Sequence, residues 1–266
     1  MRAVLALVVM AVFLAACGSK EPKPQEPAPQ PQPQADTRPT PASALERARI
    51  HTELGANYYE IGKLGVALQE LNEAIAIDPK YVPAYNTLAL VHMALKEDDK
   101  ARKRFQEALR LDPNDSDVNN NYGRFLCDRK QEKEAVKYFL AAIRNPLYNR
   151  VEDAYVNAGI CSRRAGDLAS AEDFFLRALK LKPDDARALI NLSQLYYSKG
   201  DIAQAKTALT RFMQVVPSPD AGTLLYGARL SRLMGDRSAM AAYGAQLRNR
   251  FPESAETRAF DEGRLE

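Results

Sequence analysis

Apolar and small residues return along most of this chain with the spacing of helix faces, and the whole pattern repeats about every 34 residues. Counting units from Ala48, Val82, Ser116, Glu152, Ala186 and Asp220, places 4, 7, 8 and 11 share one face of a first helix. Places 20, 24 and 27 share one face of a second. The twentieth place is alanine six times, at Ala67, Ala101, Ala135, Ala171, Ala205 and Ala239, in steps of 34, 34, 36, 34 and 34. Places 7 and 8 read large then small, as in Tyr122-Gly123 and Tyr226-Gly227, and place 24 is large, as in Leu71, Phe139, Phe175 and Tyr243.

The residue types explain the elements they predict. Small residues at places 8 and 20 let two helix backbones approach, and the large residue at 24 fills the space beside them. Gly62, Gly166 and Gly200 mark the turn inside a unit, because glycine accepts the left-handed conformation that ends a helix. A proline closes each unit, at Pro79, Pro113, Pro146, Pro183, Pro217 and Pro252, where it denies a continuing helix its N–H donor. A fixed period of this length means a stacked array of helix pairs rather than one globular core.

These residues resemble the tetratricopeptide repeat over roughly residues 48–253. The resemblance implies an all-α, right-handed superhelical solenoid of about six helix-turn-helix units, near 48–81, 82–115, 116–149, 152–185, 186–219 and 220–253. Three departures stand out. Phe212 replaces the usual alanine at place 27 of unit five, two residues are inserted near Arg150 and Val151, and unit six carries one extra residue before Gly235. The domain limits that follow are 1–16, 17–43, a repeat domain over 44–255 and a C-terminal tail over 256–266.

The beginning of the chain is different in kind. Arg2 precedes an apolar run from Ala3 to Ala16, too short for a stable membrane span but suited to a secretory signal peptide. The run ends in Leu14-Ala15-Ala16-Cys17, which resembles a bacterial lipobox; an ordinary signal peptide followed by a chance cysteine is the alternative. The resemblance implies a covalent diacylglycerol and an N-acyl lipid on Cys17, a membrane anchor firmer than one chain provides, and no other cofactor. Gly18 and Ser19 lack the aspartate that commonly retains lipoproteins at the inner membrane, which favours the outer membrane. Lys20 to Pro41 then holds eight prolines in 22 residues and no aromatic, an extended linker by composition. At about 3.1 Å per residue it reaches roughly 65 Å.

Charge narrows the function classes. With 37 basic and 34 acidic residues the net charge is +3, and no dense basic block interleaved with aromatics offers itself to nucleic acid. Only two histidines occur, His51 and His92, both at core-facing places and without metal-ligand or nucleophile spacing around them. No active site and no small-molecule substrate site is legible. Cys127 and Cys161 lie on the first helices of units three and four at non-equivalent places, the twelfth and the tenth. An oxidising compartment permits a disulfide between them, and buried free thiols are the alternative.

What an array offers is a groove. Places 2, 5, 9, 12 and 13 of each first helix form a stripe opposite the core, which in tetratricopeptide folds receives a partner peptide. In units one and two Tyr59, Leu90 and Met93 make it apolar beside Asn86, and a helix over Ala42 to Ile50 is the competing cover for that patch. Units three to five turn polar, with Asp117, Asn120, Arg124, Asp128, Asp153, Arg163, Arg164 and Arg187. Beside the stripe, Asn121, Asn157 and Asn191 occupy place 6 in three successive units, a ladder of amides able to hold an extended backbone, although asparagine is also common there for structural reasons.

A narrower likeness appears in Asn119-Asn120-Asn121-Tyr122-Gly123-Arg124-Phe125-Leu126-Cys127, Asn145-Pro146-Leu147-Tyr148 and Asn157-Ala158-Gly159, with Tyr243-Gly244-Ala245-Gln246-Leu247 and Phe251-Pro252-Glu253-Ser254. These resemble the type IV pilus biogenesis and stability lipoproteins, the PilF/PilW pilotin family. The resemblance implies a non-catalytic adaptor on the periplasmic face of the outer membrane that binds the pilus secretin subunit and promotes its localisation and multimerisation. The alternative is a repeat lipoprotein serving another envelope machine, for β-barrel assembly or peptidoglycan synthesis and hydrolysis. A peptidoglycan-processing enzyme lacks a catalytic constellation.

Overall fold

The computed structural model describes residues 41–265, so the signal peptide, Cys17 and most of the linker lie outside the described residues. Helices follow one another in pairs: α1 (Pro41–Glu60) with α2 (Leu64–Ile77), α3 (Val82–Ala94) with α4 (Asp98–Leu111), and α5 (Ser116–Asp128) with α6 (Glu132–Ile143). Then come α7 (Val151–Arg164) with α8 (Leu168–Leu181), α9 (Ala186–Ser198) with α10 (Ile202–Val215), α11 (Ala221–Leu233) with α12 (Arg237–Arg250), and a last short α13 (Ala255–Asp261). The six expected units are present, each first helix beginning within one residue of its expected start except in unit one.

Local chemistry sets the ends. Asp115, Asp167, Asp185, Asp201, Asp220 and Asp236 each accept a backbone N–H of the first turn they precede. Each such cap is worth about 1 kcal/mol. The turn inside a unit passes through a left-handed residue every time, glycine at φ 80° in Gly166 but lysine at Lys96 and Lys130. Closing prolines follow directly on the caps Asp78, Asp112, Lys182, Val216 and Phe251.

Close packing within a unit rests on the eighth and twenty-fourth places. A Cβ added to Gly123 would lie 2.8 Å from the Phe139 ring, and one added to Gly159 would lie 2.6 Å from Phe175. Only the missing side chain lets these helices approach so far. In unit five the eighth place is Ser193, buried, and its hydroxyl donates to the Ala205 carbonyl at 2.7 Å.

Three sequence expectations change. The segment Ala42 to Ile50 forms no separate helix over the apolar patch; it is the first part of α1, continuous because nothing breaks the helix between Pro41 and Glu60, and Arg49 ties it to Glu46 and Glu53. Residues 41–43, counted with the linker from the sequence, are the first turn of α1. The C-terminal tail is largely α13, capped by Ser254, with Phe260 against Gly244 and Leu265 buried. Unit six slips by one residue: its turn glycine, Gly235, comes one place late, so Ala239 is half-buried while Gly244 and Leu247 are buried.

First helices of neighbouring units bring Cα atoms within 8 Å of one another from α1 to α9, whereas among the described residues the second helices of neighbouring units stand farther apart. Elements in contact on one side and splayed on the other curve the stack, and the first helices line its concave side.

Candidate functional site

The concave side divides where the sequence expects, but the side chains are more committed than a free peptide groove requires. Tyr59, Leu90 and Met93 are half-buried, not exposed. Tyr59 packs on the cluster of Leu71, Leu88 and Val91, while Leu90 and Met93 pack on that of Tyr85, Ala89 and Val118. Each therefore presents an edge rather than a whole side chain.

The asparagines bond within the protein. Asn121 donates to Asn86 Oδ1 at 3.2 Å, and Asn157 donates to Asn120 Oδ1 at 2.9 Å. Arg187 in turn donates to Asn157 Oδ1 at 2.6 Å, and Arg163 donates to Asn191 Oδ1 at 3.1 Å while Asn191 Nδ2 bonds the Arg187 carbonyl. A ladder open to a partner on every rung is thus corrected to a ladder of bridges between units. Each amide retains only the remainder of its two donors and two acceptor lone pairs.

Units three and four form the most elaborate part of the face. Cys127 and Cys161 are joined by a disulfide with Cα atoms 5.8 Å apart, so the pairing left open by the sequence is made. The twelfth place of α5 thus faces the tenth place of α7. Beside the bridge, Arg124, Arg164, Arg187 and Asn157 surround a recess of about 150 Å³ floored by Phe139 and Ile160. Arg164 pairs with Asp128 at 3.0 Å and Arg187 with Asp153 at 3.4 Å. Among the described residues Arg124 has no hydrogen-bond or ionic partner. Burial, and then the neighbouring Arg164 charge, hold Arg163 below the usual arginine range, and its Nε is buried without a partner.

The sequence singled out Arg124 and Asn157 as groove residues and the structure brings them together; it had named Arg164 and Arg187 on the stripe without joining them to the site. The missed signal is the offset between units, by which place 9 of one unit, place 6 of the next and place 2 of the one after converge. The inserted loop is anchored by Tyr148, buried, whose hydroxyl donates to Asp117 at 3.3 Å, with Leu147 standing 89% exposed beside it.

Other chemistry is sparse. His92 is buried and His51 half-buried, each 2.7 Å from a carboxylate, Glu97 and Glu70 respectively. Among the described residues there is no group of three or more His, Cys, Asp or Glu placed to hold a metal ion, and no helix long and apolar enough to cross a membrane.

The chain matches tetratricopeptide repeat models over residues 59–120 and 162–225, with further matches over 105–137 and 133–186. It is 30% identical over 210 residues to the type IV pilus assembly protein PilF of Pseudomonas aeruginosa, covering 79% of this chain and 83% of that one. Among solved structures, PilW, a widely conserved type IV pilus biogenesis factor, superposes with a TM-score of 0.75 at 31% identity, covering 80% of this chain and 97% of PilW. The P. aeruginosa PilF structure superposes with a TM-score of 0.75 at 29% identity, covering 83% and 99% of the two chains. With its repeat fold and this likeness along nearly the whole described region, the chain belongs to the tetratricopeptide-repeat proteins of type IV pilus biogenesis, the family of PilF and PilW.

Proposed function

We propose that this protein is a non-catalytic lipoprotein adaptor, a pilotin, that binds the type IV pilus secretin subunit and promotes its delivery to the outer membrane and its multimerisation there. The observation that carries the reading is the likeness to PilF over 210 residues, 79% of this chain and 83% of that one, rather than over a single repeat. The concave face supports it with a surface built for a chain rather than a small molecule, running from the apolar edges of Tyr59, Leu90 and Met93 to the arginines of units three to five. Cys17 would carry the lipids that hold the adaptor on the periplasmic face of the outer membrane, and the proline-rich linker would let the array reach away from it.

The test is genetic and then biochemical. Deleting the gene leaves secretin monomers and abolishes pilus-dependent twitching; normal secretin multimers in the outer membrane of the deletion strain would end the proposal. In purified form, Leu90→Asp with Met93→Asp weakens secretin capture about tenfold while helical content is kept, since both side chains are only half-buried.

A further inference from the structure

The structure assigns to the recess between α5, α7 and α9 a role in reading one acidic side chain, Asp or Glu, of an extended partner segment. Three guanidinium groups border it, those of Arg124, Arg164 and Arg187, against a single bordering carboxylate, Asp128, which leaves two positive charges in excess. Arg164 and Arg187 already spend part of their donors on Asp128, Asp153 and Asn157. Arg124 spends none among the described residues, and it is exposed. A free planar guanidinium beside a second, half-engaged one is a receptor for a carboxylate, because each fork offers parallel N–H donors to two oxygens.

Size and shape select the occupant. At about 150 Å³ the recess is smaller than the roughly 300–1,000 Å³ of small-molecule sites, so it suits one side chain. Its floor of Phe139 and Ile160 is apolar and matches the methylene stem that carries a carboxylate. A concave recess between helices cannot meet a flat bilayer. A phosphate backbone, charged at every residue, would meet Asp117, Asp128 and Asp153 in turn, whereas one carboxylate needs only the place beside Arg124. The disulfide adds permanence, since it cross-links the two helices that carry Arg124 and Arg164 and so keeps the walls at one spacing. The assignment goes beyond the secretin reading and does not require it, because it concerns the chemistry of the segment and not the protein that supplies it.

The experiment is a selection of randomised displayed peptides on the intact protein, on Arg124→Glu, and on Lys137→Glu, which reverses an equal charge on the exposed side of α6. Arg124→Glu leaves the fold intact, as shown by unchanged helical content, because its side chain is exposed and has no partner among the described residues. Peptides selected on the intact protein and on Lys137→Glu carry Asp or Glu over Asn or Gln at one position by about tenfold, and the preference vanishes on Arg124→Glu. Absence of acidic enrichment, or its survival in Arg124→Glu, overturns the assignment. So does binding of phosphatidylglycerol vesicles that is lost in Arg124→Glu while no acidic peptide is selected, which would give the recess to a lipid headgroup.

Discussion

The junction between units three and four and the junction between units five and six use the same repeat to different ends. At the first, α7 touches both α5 and α6, the Cys127–Cys161 disulfide crosses it, and Asn157 and Arg164 reach back to Asn120 and Asp128. At the second, no Cα of α11 comes within 8 Å of α9 among the described residues, and α11 rests on α10. Side chains bridge the gap instead: the Tyr226 hydroxyl shares a hydrogen bond with Ser193 at 2.9 Å, its ring meets Tyr197, and Lys206 bonds Asp236 at 2.8 Å. A cavity of about 370 Å³ opens there between the end of α10 and α12. In a stack where each unit contacts only its neighbours, stability is a sum over units and junctions, so one array can be rigid at its acidic-segment recess and compliant near its C-terminal end.

Removing the covalent link tests this contrast most strongly. The double variant Cys127→Ala, Cys161→Ala loses about 4 kcal/mol of unfolding free energy, as expected for a bridge that closes a loop of 34 residues. Hydrogen exchange should quicken in α5 and α7 and leave α11 to α13 unchanged. Equal quickening throughout would mean that the array unfolds as one block and that the two junctions do not differ in kind.

A smaller change compares the same place in two units. Gly159→Ala sets a methyl 2.6 Å from Phe175, which is fully buried and has nowhere to go, and costs about 2 kcal/mol. Gly227→Ala sets a methyl 2.7 Å from Tyr243, but Tyr243 is half-buried and borders the cavity, so its ring can yield and the cost stays below about 1 kcal/mol. Thermal melts of the two variants rank them, and an equal loss would show that unit six is packed as tightly as unit four.

The same contrast explains what could be read from the residues alone. Periodicity exposes contacts inside a unit, because places 8, 20 and 24 are close in sequence and their sizes are complementary; Gly123 with Phe139 is such a pair. Contacts between units depend on how far each unit is rotated from the last, which no single repeat encodes. The bond from Asn157 to Asn120 and the meeting of Arg124 with Arg187 arise from that rotation, and the asparagines therefore looked free. The disulfide joins the twelfth place of one unit to the tenth of the next, an offset that belongs to the same rotation. The slip in unit six was visible as an extra residue before Gly235, but its consequence, Gly244 receiving Phe260 of α13, depended on a helix taken for a tail.

The smallest expected effect concerns the single hydroxyl that joins units five and six. Tyr226→Phe keeps the ring and removes the bond to Ser193, and Ser193 still has the Ala205 carbonyl, so no buried group is orphaned and the loss is about 1 kcal/mol near neutral pH. Burial pushes the Tyr226 hydroxyl up to about 12, with the Ser193 bond opposing that rise, while an unfolded tyrosine ionises near about 10. A group whose folded value is raised contributes stability that is complete below the unfolded value and is lost as pH climbs toward the folded one. The native protein should therefore lose stability between about pH 10 and 12, helped by Tyr196, which burial also pushes up to about 12. Tyr226→Phe loses less over that range, so urea unfolding near pH 9 and again near pH 11 should show most of the roughly 1 kcal/mol gap closing. A gap that stayed constant would mean that the hydroxyl is open to solvent and that the junction is held by ring packing alone.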